Sequence, residues 1–160
     1  METLENRKKD HIDLAFKSQA GLPELDNRFH YEPVLREHPR NGLQPFTFLG
    51  KTHRAPLWIS SMTGGTKLAG IINRNLAMAC NEFGMGMGLG SCRIIMEDKT
   101  YFDDFNMRRI IGGDLPFYAN LGIAQIEELL ERNQVSKAVD LVRELEADGL
   151  VVHINPIQEW

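Results

Sequence analysis

Cysteine is scarce in this chain: Cys80 and Cys92 are the two thiols in 160 residues. Two cysteines cannot build a disulfide framework, and neither stands in a CxxC or Cys/His spacing that would hold zinc, so each reads as a small buried hydrophobe. A basic excess is missing as well. Eighteen Lys and Arg against 22 Asp and Glu leave a net charge of -4, which excludes a global field for nucleic acid or anionic lipid, so any polyanion must be met locally. No apolar run approaches the roughly 18 residues that cross a bilayer. The opening METLENRKKDHIDLAFKSQA mixes acids and bases where a signal peptide needs an apolar core. The expectation is a cytoplasmic, reduced protein with no membrane segment and no nucleic-acid partner. Nucleophile constellations of the Ser-His-Asp or Cys-His kind are absent, as are paired carboxylates, P-loop spacing and a strand-then-GxGxxG fingerprint. What is present is ordinary for a packed single domain: 42% apolar and 25% charged residues, with 14 Gly and 7 Pro.

Residues 6–18 place Ile12, Ala15 and Phe16 on one side of a short amphipathic helix. From Gly21 to Gly42 the punctuation by Pro23, Asp26, Asn27, Pro33, Pro39 and Asn41 is too dense for a regular element. Residues 1–50 therefore read as a helix and an extended arm. After them the chain alternates. PLWISS is a strand, followed by a helix with the stripe Leu68, Ile72, Leu76, Ala79, Cys80 and Phe83 that ends at Gly84. GMGMGLGS is a small-residue strand, residues 97–109 a helix, and FYANLG a strand. Helical segments then run between Ile123 and Ala147, with the stripe Val135, Ala138, Val139, Val142 and Leu145, before a last strand LVVHIN. Apolar strands separated by helices need crossovers and lie parallel under helical cover, so the fold class is α/β. Four such strands fit either a small doubly wound sheet or half of a closed (β/α) barrel.

In both cases the binding groups collect at the carboxyl ends of the strands. The segments there are Ser60 to Gly65, Gly90 to Arg93, Asn120 to Gly122 and His153 to Glu159. Gly64 and Gly65 in SMTGGT either let backbone approach a flat or phosphorylated ligand or merely supply a positive φ. The alternating glycines of GMGMGLGS make room for a ligand or for close helix packing. Arg7, Lys8 and His11 are spaced three and four apart on the first helix, an arrangement that suits a diphosphate and equally a solvated charged face. Arg93, just after the Gly90-Ser91 turn, could add a bidentate phosphate contact or form a surface ion pair. His153 and Asn155 alternate onto one face of the last strand, and Glu159 is of a type that could hold Mg2+.

Together RKKDHI, SMTGGT, INRNLA, GLGSCR, ANLG and HINPIQE resemble, in order and spacing, the type 2 isopentenyl-diphosphate isomerase family, over about Arg7 to Glu159. The resemblance implies an FMN-dependent (β/α)8 barrel that interconverts isopentenyl and dimethylallyl diphosphate, with Mg2+ and a flavin kept reduced by NADPH. It implies FMN contacts from Met62, Thr63, Gly64, Ser91 and Asn120. Substrate contacts would come from Arg7, Lys8, Ser91, Cys92, Arg93, Asn155 and Gln158, a metal ligand from Glu159, and site-facing or catalytic roles from Gln158 and His153. Cys92 stands where that family carries Gln. Residues 51–160 would supply only the first half of such a barrel, so the chain is expected to be an amino-terminal part that is inactive alone and associates with a second copy. The alternatives are another FMN barrel of the hydroxy-acid oxidase or dihydroorotate dehydrogenase type, which predicts neither RKKDH nor HINPIQE, and a non-catalytic half-barrel module.

Overall fold

The computed structural model describes residues 4–18, 42, 44–60 and 63–154, with the side chains of residues 4–9 and 11 outside the description. The expected arm lies outside the described residues except for Gly42. Helix α1 spans Leu4–Lys17, and Ile12 is its buried anchor. A hairpin follows that the sequence reading did not anticipate: β1 (Phe46–Phe48) pairs antiparallel with β2 (Lys51–His53), Phe46 opposite His53. Its two turn residues, Leu49 and Gly50, both have positive φ, at 51° and 78°. That is the turn whose twist matches two flanking strands. The hairpin straddles the boundary expected at residue 50.

The main sheet contains β3 (Trp58–Ile59), β4 (Gly86–Gly88), β5 (Phe117–Gly122) and β6 (Gly149–His153), all parallel and in sequence order. Helix α2 (Lys67–Phe83) connects the first two strands. Helix α3 (Arg93–Glu97), a 3₁₀ segment (Lys99–Asp104) and helix α4 (Arg108–Ile111) lie between β4 and β5, and α5 (Ile123–Glu131) and α6 (Ser136–Glu144) between β5 and β6. The (β/α)8 barrel expectation is corrected here. The described residues form an open sheet of four parallel strands beside a separate two-stranded hairpin, with β3 and β6 at its edges. Nor does the strand order reverse, as a doubly wound sheet requires at its switch point.

Alternation along the strands puts Ile59, Met87, Phe117, Ala119, Leu121 and Leu150 on one face. This face packs with Ala77 and Cys80 of α2, Ile111 of α4, Leu129 of α5 and Ala138, Leu141 and Leu145 around α6 in a single core. The opposite face carries Trp58, Gly86, Tyr118, Asn120 and Gly149. The hairpin covers one end of it, where the His53 ring lies parallel to Trp58 at 5.9 Å and a Cβ on Gly86 would fall within 2.9 Å of His53.

Two sequence-read stripes are rotated in the structure. On α2 the buried positions are Ala69, Asn73, Ala77 and Cys80, while Leu68 and Phe83 are exposed. Small residues let the helix approach closely: a Cβ on Gly70 would strike the Asp104 carboxylate. On α6, Ala138, Leu141 and Leu145 are buried while Val135 and Val139 are exposed. The helix expected over 97–109 is broken into three pieces because Asp98, in extended conformation, accepts from the Thr100 N–H at 2.8 Å and starts a new turn.

The amino ends of the strands are bolted by charge. Arg108, 7% exposed, donates to the carbonyls of Glu146, Gly112 and Leu115 and pairs with Asp148 at 2.8 Å. Asp148 also accepts from the Phe117 N–H at 2.9 Å, and Lys51 of the hairpin reaches its other oxygen at 2.7 Å. Burial tends to raise the Asp148 carboxyl, but the hydrogen bonds from Lys51, Arg108 and Phe117 outweigh it and hold the group below the usual aspartate range.

Candidate functional site

The carboxyl ends of β3, β4 and β5 are stitched into one rim. The Cys92 N–H donates to the Asn120 carbonyl at 2.8 Å, and the Leu89 N–H donates to the Tyr118 carbonyl at 2.9 Å. Gly90 lies so close to the preceding loop that a Cβ there would sit 2.4 Å from the Thr63 carbonyl oxygen. Thus Thr63, Gly90, Cys92 and Asn120 come together although 57 residues separate the first from the last. Thr63 and Asn120 are each 6% exposed. The Thr63 hydroxyl is buried and has no hydrogen-bond partner among the described residues, a condition that costs free energy unless another group supplies the bond.

The loop glycines have a packing role. A Cβ on Gly64 would enter the Phe105 ring, and one on Gly65, at φ +75°, would enter Ile94. Thr66 then caps α2 by accepting from the Ala69 N–H at 3.0 Å. Asn73, in the INRNLA segment, was given no role by the sequence reading. It is buried on α2 and donates to the Asp104 carbonyl at 2.9 Å and to the Thr63 carbonyl at 3.5 Å, so it positions the rim loop from below. A mid-helix Asn on a buried stripe was the available signal.

Other expected site residues fall elsewhere. Cys92 is fully buried and its thiol donates to the Gly90 carbonyl at 3.4 Å. Arg93, 47% exposed in its side chain, pairs with Glu97 at 2.9 Å along α3. Ser91 is half-buried at the rim, and His153 is exposed at the end of β6. Arg7, Lys8 and His11 stand on α1, with side chains outside the description. Met62, Asn155, Gln158 and Glu159 lie outside the described residues. Among the described residues no group of three or more His, Cys, Asp or Glu is placed to hold a metal ion, and no helix is long and apolar enough to cross a membrane.

The described residues thus place a buried hydroxyl and a buried amide at the carboxyl rim of a parallel α/β sheet, the edge at which sheets of this class collect binding groups. No family model matches the chain. The isopentenyl-diphosphate delta-isomerase of a Nostoc species is 38% identical over 160 residues, covering 97% of this chain and 45% of that protein. The protein of the same name from Rickettsia felis is 42% identical over 159 residues, covering 96% and 44%, and that from Deinococcus radiodurans is 35% identical over 161 residues, covering 98% and 46%. The chain thus spans a little under half the length of the curated relatives it matches. These findings correct the finer resemblance to the FMN-dependent type 2 form. The relatives carry the isomerase name without that qualification, and the sheet is open, so what stands is similarity to isopentenyl-diphosphate delta-isomerases.

Proposed function

We propose that this chain takes part in interconverting isopentenyl and dimethylallyl diphosphate, a 1,3-allylic shift of a double bond. The observation that carries the reading is the identity to proteins of that name along 96–98% of the chain. The chemistry requires a proton added to a carbon of low basicity and another removed two carbons away, with positive charge building between them. A protein serves such a step by holding the diphosphate through remote contacts and keeping water from the cation. Arg7 and Lys8 of α1 and Glu159, with Mg2+, are the groups proposed for the diphosphate. His153, Asn155 and Gln158 are the groups proposed beside the alkene.

The cofactor proposal is FMN, kept reduced by NADPH, at Thr63, Gly64, Ser91 and Asn120, with Met62, outside the described residues, as a further proposed contact. In support, Thr63 offers an uncommitted buried hydroxyl and Asn120 a buried amide on the same rim, which suit the polar edge of a flat ring. Bound there, a reduced flavin would supply an electron-rich plane against developing positive charge. Thr63 and Asn120 would fix that ring's orientation, and Asn73 would hold Thr63 in place. The same reading takes the protein as a homo-oligomer, since β3 and β6 have open edges among the described residues.

The test is proton NMR of isopentenyl diphosphate incubated with the chain and Mg2+, with and without FMN and NADPH. Dimethylallyl diphosphate signals are the expected result, appearing only with reduced flavin. Absence of both turnover and any perturbation of the ligand signals overturns the reading.

A further inference from the structure

The hairpin of β1 and β2 is a two-stranded sheet of its own, and such a unit is marginal in water unless something holds it. Two cations and one ring hold this one. Lys51 reaches the Asp148 carboxylate at 2.7 Å and the Gly113 carbonyl at 2.6 Å. Arg54, just past β2, donates from its side chain to the Asn81 and Glu82 carbonyls at 2.8 Å and from its N–H to the Gly84 carbonyl at 2.9 Å, all at the carboxyl end of α2. The ring is His53, 1% exposed, stacked on Phe46 at 4.9 Å and on Trp58 at 5.9 Å, with Phe48 edge-on at 6.1 Å. Both of its nitrogens are buried with no hydrogen-bond partner among the described residues.

A neutral imidazole fits this place and an imidazolium does not, because nothing that faces it answers a positive charge. Phe46 and Phe48 of β1, Trp58 of β3 and Gly86 of β4 are not ionisable. Behind Trp58, at 5.6 Å, lies Tyr118 of β5, whose phenol is pushed above its ordinary value by burial and by Asp148 and is neutral in mild acid. On β2 itself Lys51 shares the face of His53 by alternation, and its charge is already matched by Asp148, just before β6. We propose that the hairpin is an acid-released latch: a proton taken up by His53 frees β1 and β2 from the face they cover, turning about Arg54, while the four-stranded sheet stays folded. Release uncovers Trp58 and Gly86, at the amino ends of β3 and β4, on the face that carries Asn120 at its rim. Burial lowers the His53 pKa, so the open form takes the proton first: the latch is tight above the ordinary histidine value of about 6.5 and slackens below it. With the proton confined to the open form, a change from about pH 7.5 to about pH 5.5 multiplies the open population about tenfold. The latch is independent of the isomerase reading.

The experiment is amide hydrogen exchange of the full chain, read by mass spectrometry on peptides covering 44–53 and 117–122 at those two pH values and corrected for the intrinsic pH dependence of exchange. Opening of 44–53 is expected to increase about tenfold in acid while 117–122 stays within about twofold. His53→Phe is expected to abolish the increase. Lys51→Met is expected to speed exchange of 44–53 at both pH values and to keep the ratio between them. No acid increase in the parent, or the same increase in His53→Phe, overturns the proposal. So does an equal increase in 117–122, which is loss of the whole fold, and so does a ratio abolished by Lys51→Met, which makes the ion pair the sensor. Proton NMR of the parent keeps the test decisive if His53→Phe misfolds: the His53 ring is expected to titrate below about 6.5, and a midpoint at or above that value overturns the proposal.

Discussion

At the scale of single residues, Thr63 concentrates the tension between folding and binding. Its hydroxyl is buried and unpartnered, so a methyl of the same shape relieves the protein of an unmade hydrogen bond. We expect Thr63→Val to leave stability unchanged or raise it by about 1 kcal/mol, read from a denaturant midpoint, and, on the flavin proposal, to lower FMN affinity in a fluorescence titration. Loss of both together would mean that the hydroxyl serves the fold. Residues of this kind were only partly legible in the sequence. SMTGGT marks itself as a loop between a strand and a helix, and the structure puts Thr63 where that loop meets the next strand end. Its glycines were ambiguous because φ and steric room are tertiary facts: Gly64 is required by Phe105, forty-one positions later in the chain. Arg93 was ambiguous for the same reason, and in the structure it pairs with Glu97.

At the scale of elements, the hairpin and the charged bolt each set a pH response, and the two fall in different ranges. His53 is buried between Phe46 and Trp58, and burial lowers its pKa. The unfolded chain therefore takes up that proton first, so stability is full above the ordinary histidine value of about 6.5 and declines as pH falls below it. We expect His53→Phe to remove this part of the acid-side decline in stability, measured by urea unfolding from pH 7 to pH 5. Asp148 is held below the usual range, so its contribution is present above about pH 3.9 and is lost as pH falls through the folded value. Arg108→Ala strips that carboxylate of its buried partner, and a loss of about 3 kcal/mol is expected, visible as a lower melting temperature at pH 7. Neither device could be read from sequence. The hairpin's second turn residue is Gly50, yet its first is Leu49 at φ 51°, a residue that sequence rules do not place there. The Arg108–Asp148 pair spans forty positions, beyond any local pattern. What periodicity did reveal was the order of strands and helices from Trp58 onward, since continuous apolar runs and glycine stops are local signals. It missed the rotation of the α2 stripe, because close packing selected Ala69 and Ala77 over Leu68.

At the largest scale, the consequence of an open sheet is a strand, β6, that has no neighbour on one side among the described residues. β6 reads GLVVH, with Val151 and Val152 exposed at 36% and 40% and no lysine or proline within it to discourage pairing. We expect the chain to associate with rising concentration in sedimentation velocity, and Val151→Lys to shift it toward monomer without loss of circular-dichroism signal. Closure was the global property the sequence could not supply, since a run of parallel strands fits an open or a closed sheet equally well until their edges are seen. The charged bolt sits at the amino ends of the strands and the ligand rim at the carboxyl ends, about 20 Å apart along the six residues of β5. Changes at exposed rim positions such as His153 and Arg93 thus leave the bolt untouched, which gives this scaffold evolvability: its rim can drift through many neutral steps while its folding remains under separate selection.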